Sequence, residues 1–389
     1  MRIGLDILSE VAGRSSGTET YLQGFFQALQ RINEGRHQFF LFVNAGNREF
    51  YTIPDRYFTQ VRFPFSSRRQ FLRVLSQLSL IPFQARRLSL DVVNFLGTTG
   101  AFALGCATVQ HIKTLHHLQH PETVARSSGL FRRLLMGTSA MKADSVIANT
   151  EHTRQAIIQH LGVDASRVVV IPEAVDHRLF FPETPESPCQ GTLEKYGVTR
   201  PYILFVSSLW PYKNVNGLIK VYSELLQNFE TPHSLVIVGG LTSRNYQDLL
   251  HRQVKEARLD HRVQFVGHVI NRREIRDFYV GADVFVYPSF AETFGLTLLE
   301  SMACGTPVVA SNRTSIPEVA GNAAVLVDPD DLQGFTRALG EVLTDVTLRT
   351  SLIKRGLQRA QEFTWDRTAA ETLKAYQLAL DLRNGNART

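Results

Sequence analysis

The residues best suited to chemistry are two glutamates in "FAETFGLTLLESMACGTPVV", residues 290–309, where Glu292 precedes a Phe-Gly step and Glu300 falls among apolar residues. A carboxylate offers two acceptor oxygens, which suits neighbouring hydroxyls such as those of a ribose or another sugar ring. Each charged hydrogen bond of that kind contributes ~1.5–3 kcal/mol. Between the two acids, Phe294, Gly295, Leu296 and Thr297 read as the start of a helix. Its free N–H groups attract an anion by ~0.3–1 kcal/mol when exposed and up to ~2 when partly buried. Glycine at 295 lets the backbone approach a phosphate closely. Two carboxylates around a phosphate cradle point to a nucleotide-sugar. Alone, Glu292 is expected to be an acid that caps and solvates a helix N-terminal region, where acidic residues commonly sit. Glu300 follows "LTLL" and precedes "SMACG", so it reads as a partnered carboxylate.

The elements that must position these groups follow from the hydrophobic pattern. "ADVFVYPSF" is a buried strand, "AETFG" the turn at its carboxyl end, and "LTLLESMACG" a helix closed by Gly305 before a further strand, "TPVVAS". Similar short runs, including "QFFLFV", "DVVNFL", "SVIAN", "VVVIP", "YILFVS", "SLVIVGG" and "VQFVG", alternate with helical patterns. That alternation predicts α/β structure with parallel sheets covered on both faces. It weakens once, in the Pro- and Glu-rich "FFPETPESPCQGTLEKYGVTRP", where a domain boundary is expected. The chain is therefore expected to form a domain over residues 1–185 and a second over 186–365, with a cleft between them.

Missing motifs exclude several classes. The sequence holds no GxGxxG after a strand, no GxxxxGK[ST], no HExxH and no GxSxG, which argues against dehydrogenases, P-loop nucleotidases, common metallohydrolases and α/β-hydrolases. The formal net charge of +6 suits anionic ligands, but the basic residues are dispersed and no nucleic-acid recognition module appears. Cys106, Cys189 and Cys304 form no ligand pattern and cannot all pair, so a reducing, cytoplasmic setting is expected. "MRIGLDILSEV" reads as a first strand rather than a leader, because Asp6 and Glu10 interrupt it.

The E-x7-E stretch "ETFGLTLLE", with "SMACGTPVVAS" and "IPEVAGNAAVLVDPDD" after it, resembles the retaining glycosyltransferases of family 4. "SVIANTEHTRQAIIQHLGVDASRVVVIPEAVD", "YILFVSSLWPYKNVNGLI", "LVIVGG", "VQFVGHV" and "FTWDRTAAETLKAY" extend the likeness in order along most of the chain. The resemblance implies the GT-B fold, two Rossmann-like doubly wound domains facing each other across a cleft. It also implies that a C-terminal helix, 366–389, packs back on the first domain.

By resemblance, Lys213 in "WPYKN" and the helix start at Phe294, Gly295, Leu296 and Thr297 hold the leaving diphosphate of a nucleoside diphosphate sugar. Lys213 lies in a loop after a strand end, where a ligand-facing lysine and a solvated one are both reasonable. Glu300 is expected to bind the ribose and Glu292 the transferred sugar. Ser207 and Ser208 stand where many relatives carry Gly-Arg, so Ser208 is assigned to the donor site and Arg244 or Arg272 could supply the missing charge. In "VQHIKTLHHLQHPE", His116 occupies the place of the family histidine near the reacting carbon, with His117 replacing the usual Asp. Gly17 matches the family's loop glycine at a second anion site, although Thr18 or Ser16 could simply cap that helix. No cofactor and no metal are expected.

The resemblance points to hexose transfer with retention, mannose from GDP-mannose slightly favoured, to a saccharide or lipid-linked saccharide in polysaccharide or glycolipid assembly. A nucleotide-sugar 2-epimerase and a non-catalytic binding or scaffold subunit are the rival readings. "RRQFLRVLSQLSLIPFQARR" and "LFRRLLMGTSAMK" mix basic and apolar residues and suit either peripheral contact with the inner face of the cytoplasmic membrane or ordinary core-facing helices.

Overall fold

The computed structural model describes all residues except 12–16, 65–69, 98–99, 101–103, 114–134, 186–187, 241–242 and 387–389, with only the backbone for 70–75 and 386. The chain divides into two compact units, 1–173 with 365–389, and 174–364.

In the first unit, β1 (Arg2–Asp6), α1 (Gly17–Ile32), β2 (Gln38–Asn44), β3 (Phe58–Phe63), α2 (Gln70–Arg87), β4 (Val92–Phe95), β5 (Ala107–Ile112), β6 (Ser145–Ala148), α3 (Glu151–Leu161) and β7 (Val168–Val170) follow one another. The strands form a parallel sheet in the order β3-β2-β1-β4-β5-β6-β7. Every residue of β4, β5 and β6 is buried, as continuous apolar strands covered on both faces require, whereas the edge strand β3 keeps most of its residues partly or fully exposed.

The second unit contains α4 (Gln190–Lys195), β8 (Tyr202–Val206), α5 (Val215–Asn228), β9 (Ser234–Val238), α6 (Arg244–Glu256), β10 (Val263–Gly267), α7 (Arg272–Gly281), β11 (Val284–Tyr287) and α8 (Leu296–Ala303). It continues with β12 (Val308–Ser311), α9 (Ile316–Ala320), β13 (Val325–Val327), α10 (Leu332–Thr344) and α11 (Val346–Gln361). Its sheet is also parallel, in the order β10-β9-β8-β11-β12-β13. Phe205, Leu218, Ile219, Ile237, Val286 and Leu339 anchor one core of this sheet under its helices. Chain order reverses between β8 and β11, so two successive loops diverge there and leave room for a ligand beyond the strand ends.

The last helix, α12 (Trp365–Asn386), belongs to the first unit. Asn94 of β4 donates its side-chain N–H to the Tyr376 hydroxyl at 2.6 Å, and Arg31 of α1 pairs with Asp366 at 2.6 Å.

The division after Glu173 corrects the boundary expected at 185/186. Residues 174–185 include a strap packed on the second unit. Phe180 is buried against Tyr279, and the wholly buried Arg276 donates to the carbonyls of Phe181 and Pro182 at 3.1 and 2.8 Å. Composition made this strap look like a linker because its proline and glutamate residues conceal an anchored backbone.

Candidate functional site

The loops after β8 and β11 meet at the switch point of the second sheet. After β8, Pro211–Lys213 forms a single 3₁₀ turn with proline at its start. Asn214 closes it in the left-handed conformation and also caps α5, its Oδ1 accepting from the Gly217 N–H at 3.2 Å. The Asn214 side chain donates to the Pro329 carbonyl at 3.1 Å, so the root of Lys213 is fixed from both sides. Gly239, at the end of β9, permits the close approach of this loop. A Cβ there would lie 1.8 Å from the Ser207 carbonyl oxygen.

After β11, the turn carrying Glu292 is tied down by its backbone. The Phe290 N–H donates to the Tyr212 carbonyl at 2.8 Å, the Glu292 N–H to Thr314 Oγ1 at 2.9 Å, and Ser315 Oγ to the Glu292 carbonyl at 2.9 Å. Lys213 Nζ then meets Glu292 Oε1 at 2.6 Å, with both side chains about nine-tenths buried. The Tyr287 hydroxyl lies 3.5 Å from the same ammonium, and burial together with nearby Glu292 raises its pKa well above the ordinary tyrosine value. Glu292 is thus an ion-pair partner rather than a helix cap.

Gly295 begins α8 with φ of +104°, a conformation that favours glycine. Leu296 and Thr297 follow it into the first turn. Thr297 Oγ1, buried beside Tyr287, has no partner of hydrogen-bonding geometry among the described residues. Phe294 turns its ring inward against Phe363, 5.9 Å between centroids, so only its backbone amide can serve a ligand. Ser208 is exposed in the loop after β8.

Glu300 lies in the second turn of α8 and is buried. Its Oε1 accepts from Arg272 Nη2 at 2.6 Å and its Oε2 from the Tyr279 hydroxyl at 3.3 Å. Burial raises its pKa, while Arg272 and the Tyr279 hydroxyl act in the opposite direction. Arg272 also sits 5.1 Å above the Phe180 ring. This arginine is therefore engaged with a carboxylate, whereas Arg244 stands exposed at the start of α6.

In the first unit, Gly17 is the exposed first residue of α1. His116 lies outside the described residues. Just before it, at the end of β5, a buried polar cluster brings together His111, Lys113, Asn149, Glu173 and Tyr21. Lys113 Nζ is 3.3 Å from the Tyr21 ring centroid and has no hydrogen-bond partner among the described residues. Burial pushes its pKa down to about 8 and pushes that of Glu173 up, while each opposes the other's shift by attraction. Neither this cluster nor the Arg272–Glu300 contact has a local sequence signature, because each joins residues from separate strands or helices.

Two doubly wound parallel sheets in tandem, with a lysine, two carboxylates and a glycine-started helix assembled near one switch point, define an α/β protein of the GT-B class. A family model of group 1 glycosyl transferases matches residues 194–359, and one of glycosyltransferase family 4 matches residues 15–179. The chain belongs to the group 1 glycosyltransferases of family 4.

It is 32% identical to the O-antigen chain mannosyltransferase B of Escherichia coli over 61% of this chain and 61% of that one. It is 33% identical to the D-inositol 3-phosphate glycosyltransferase of Kineococcus radiotolerans over 62% of this chain and 58% of that one. The matches thus span about three fifths of these relatives. Sucrose-phosphate synthase from Thermosynechococcus elongatus has a TM-score of 0.76 at 19% identity, covering 97% of this chain and 98% of its own. Anabaena HepE, in complex with UDP and glucose, has a TM-score of 0.75 at 21% identity, covering 96% of this chain and 100% of its own. At these identities the structural likeness concerns the fold alone.

Proposed function

We propose that the protein is a retaining glycosyltransferase that moves a hexose, mannose-type, from a nucleoside diphosphate sugar to a saccharide or lipid-linked saccharide. The observation that carries this reading is the buried Lys213–Glu292 contact next to the glycine-started helix α8 at the β8/β11 switch point. The similarity to an O-antigen chain mannosyltransferase supports mannose as the transferred sugar and polysaccharide assembly as the setting, with GDP-mannose the donor this reading adopts.

In this reading, the donor's bond from the anomeric carbon to the diphosphate oxygen breaks as an acceptor hydroxyl oxygen bonds to that carbon on the same face. The hydroxyl proton passes to the departing phosphate. Lys213 and the amides of Phe294, Gly295, Leu296 and Thr297 stabilise the charge that grows on the diphosphate, and one such donor can contribute ~2.7–4 kcal/mol to the barrier. Glu292 receives hydroxyls of the transferred sugar and Glu300 those of the ribose. By resemblance to the family, Ser208 and Gly17 are assigned to donor binding and His116 to catalysis. Positive charge comes from the protein, so transfer proceeds without a metal ion and full activity is expected in the presence of a chelator.

Among the described residues, no helix is long and apolar enough to cross a membrane. The three cysteines are buried and unpaired, which supports a reducing cytoplasmic setting. Exposed Leu80, Phe83, Arg86 and Arg87 on α2 support peripheral contact with an anionic membrane face.

Calorimetric titration with UDP, GDP, ADP and their sugar conjugates, on the wild type and Glu300→Ala, tests the donor site. Selective binding that the substitution abolishes is the expected result. Absence of binding by every conjugate would overturn the reading. Conversion of the sugar with donor alone, and no release of nucleoside diphosphate, would instead indicate an epimerase.

A further inference from the structure

We infer that Arg272 is a positioning residue of the donor site, fixing the Glu300 carboxylate in the orientation that receives the ribose diol. This rests on the reading that Glu300 binds ribose. Arg272 is the first residue of α7, where the helix dipole disfavours a cation. A residue that breaks a local rule calls for a tertiary reason. Here the reason is the 2.6 Å bond from Nη2 to Glu300 Oε1.

The placement is held at both ends. Asn271 Oδ1 accepts from the Arg273 N–H at 3.0 Å and fixes the start of α7, while the Phe180 ring lies under the guanidinium at 5.1 Å. Glu300 is almost completely buried, and an unpaired carboxylate there would tend to take up a proton. A protonated acid loses acceptor capacity, so a ribose would find a weaker partner. With Arg272 on Oε1 and Tyr279 on Oε2, each oxygen still has a second lone pair available to a hydroxyl. Arginine suits this task better than lysine because its planar fork limits the directions open to the carboxylate.

The test is calorimetry on the full chain with UDP and GDP and with their 2′,3′-dideoxy counterparts, using wild type, Arg272→Met, Arg272→Lys and Glu300→Ala. Melting curves establish that each variant is folded. Arg272→Met is expected to weaken binding of the ribonucleotides by roughly tenfold to a hundredfold at neutral pH, the scale of one charged hydrogen bond. The dideoxy forms should be unaffected. The loss should shrink as pH rises, because removing the cation moves protonation of Glu300 to higher pH, and Arg272→Lys should restore part of the affinity.

Equal loss for ribo and dideoxy forms would assign Arg272 to the phosphates and overturn the inference, as would no loss at all. If Glu300→Ala abolishes ribose discrimination while Arg272→Met preserves it, this inference alone fails. If Glu300→Ala leaves discrimination intact, or the wild type binds no nucleotide, the ribose reading fails and this inference fails with it.

Discussion

Lys213 Nζ lies 2.6 Å from Glu292 Oε1, and the two residues come from loops after β8 and β11, on opposite sides of the point where strand order reverses. The contact neutralises two buried charges, and with a second N–H directed at the Tyr287 hydroxyl, one of the three ammonium N–H groups remains. Removing one partner strands the other, and for buried pairs that destabilises by ~3–5 kcal/mol. Lys213→Met should therefore lower the unfolding midpoint markedly, and adding Glu292→Leu should recover much of the loss. Denaturant titration of the single and double variants checks this, with neither expected to regain sugar transfer.

The two glycines of the site should respond differently to alanine. At Gly295 a Cβ would make only ordinary contacts, the nearest atoms being 3.8 Å away, so only its positive φ resists substitution, at ~1–2 kcal/mol. Gly239 faces a backbone oxygen at 1.8 Å, so the strand ends must separate. Gly239→Ala should lower the melting temperature more than Gly295→Ala, as thermal scans would show.

The buried Lys113 predicts a pH dependence of stability. Its pKa is lowered from the ordinary lysine value of 10.5 to about 8, so between these values the unfolded chain binds the proton and the folded chain does not. Stability from this group rises with pH across that window and is lost as pH falls through about 8. Glu173 has the opposite sign. Its pKa is raised, so its contribution is complete below the ordinary carboxylate value and is lost as pH climbs through the folded value. Melting temperatures across this range, compared with Lys113→Met, should show the alkaline rise disappear in the variant.

Membrane contact makes a separate prediction. Phe83 is 61% exposed and lies three and four residues before Arg86 and Arg87, so all three share one side of α2. Phe83→Asp should reduce flotation with anionic vesicles several-fold, because it removes buried apolar area and adds a repelled charge. Added salt should weaken the wild type's binding in the same assay.

Much of this architecture could be read from the sequence alone, because strand burial and helix amphipathicity are properties of short windows. "ADVFVYPSF", "AETFG" and "LTLLESMACG" fold as the strand, turn and helix their patterns predict, and Gly305 closes the helix with a positive φ. The spacing of Glu292 and Glu300 likewise places one acid in the turn and the other in the second turn of α8. Their partners were not legible. Lys213 precedes Glu292 by 79 positions, and Arg272 precedes Glu300 by 28, so only packing of separate βα units brings each pair together. The unit boundary was misplaced for the same reason: Arg276 anchors the strap at Phe181 and Pro182 from more than ninety residues away. Local pattern determined which elements form and which end of the sheet carries polar loops. Tertiary structure decided which charges are buried together, because desolvation and ion pairing depend on neighbours in space.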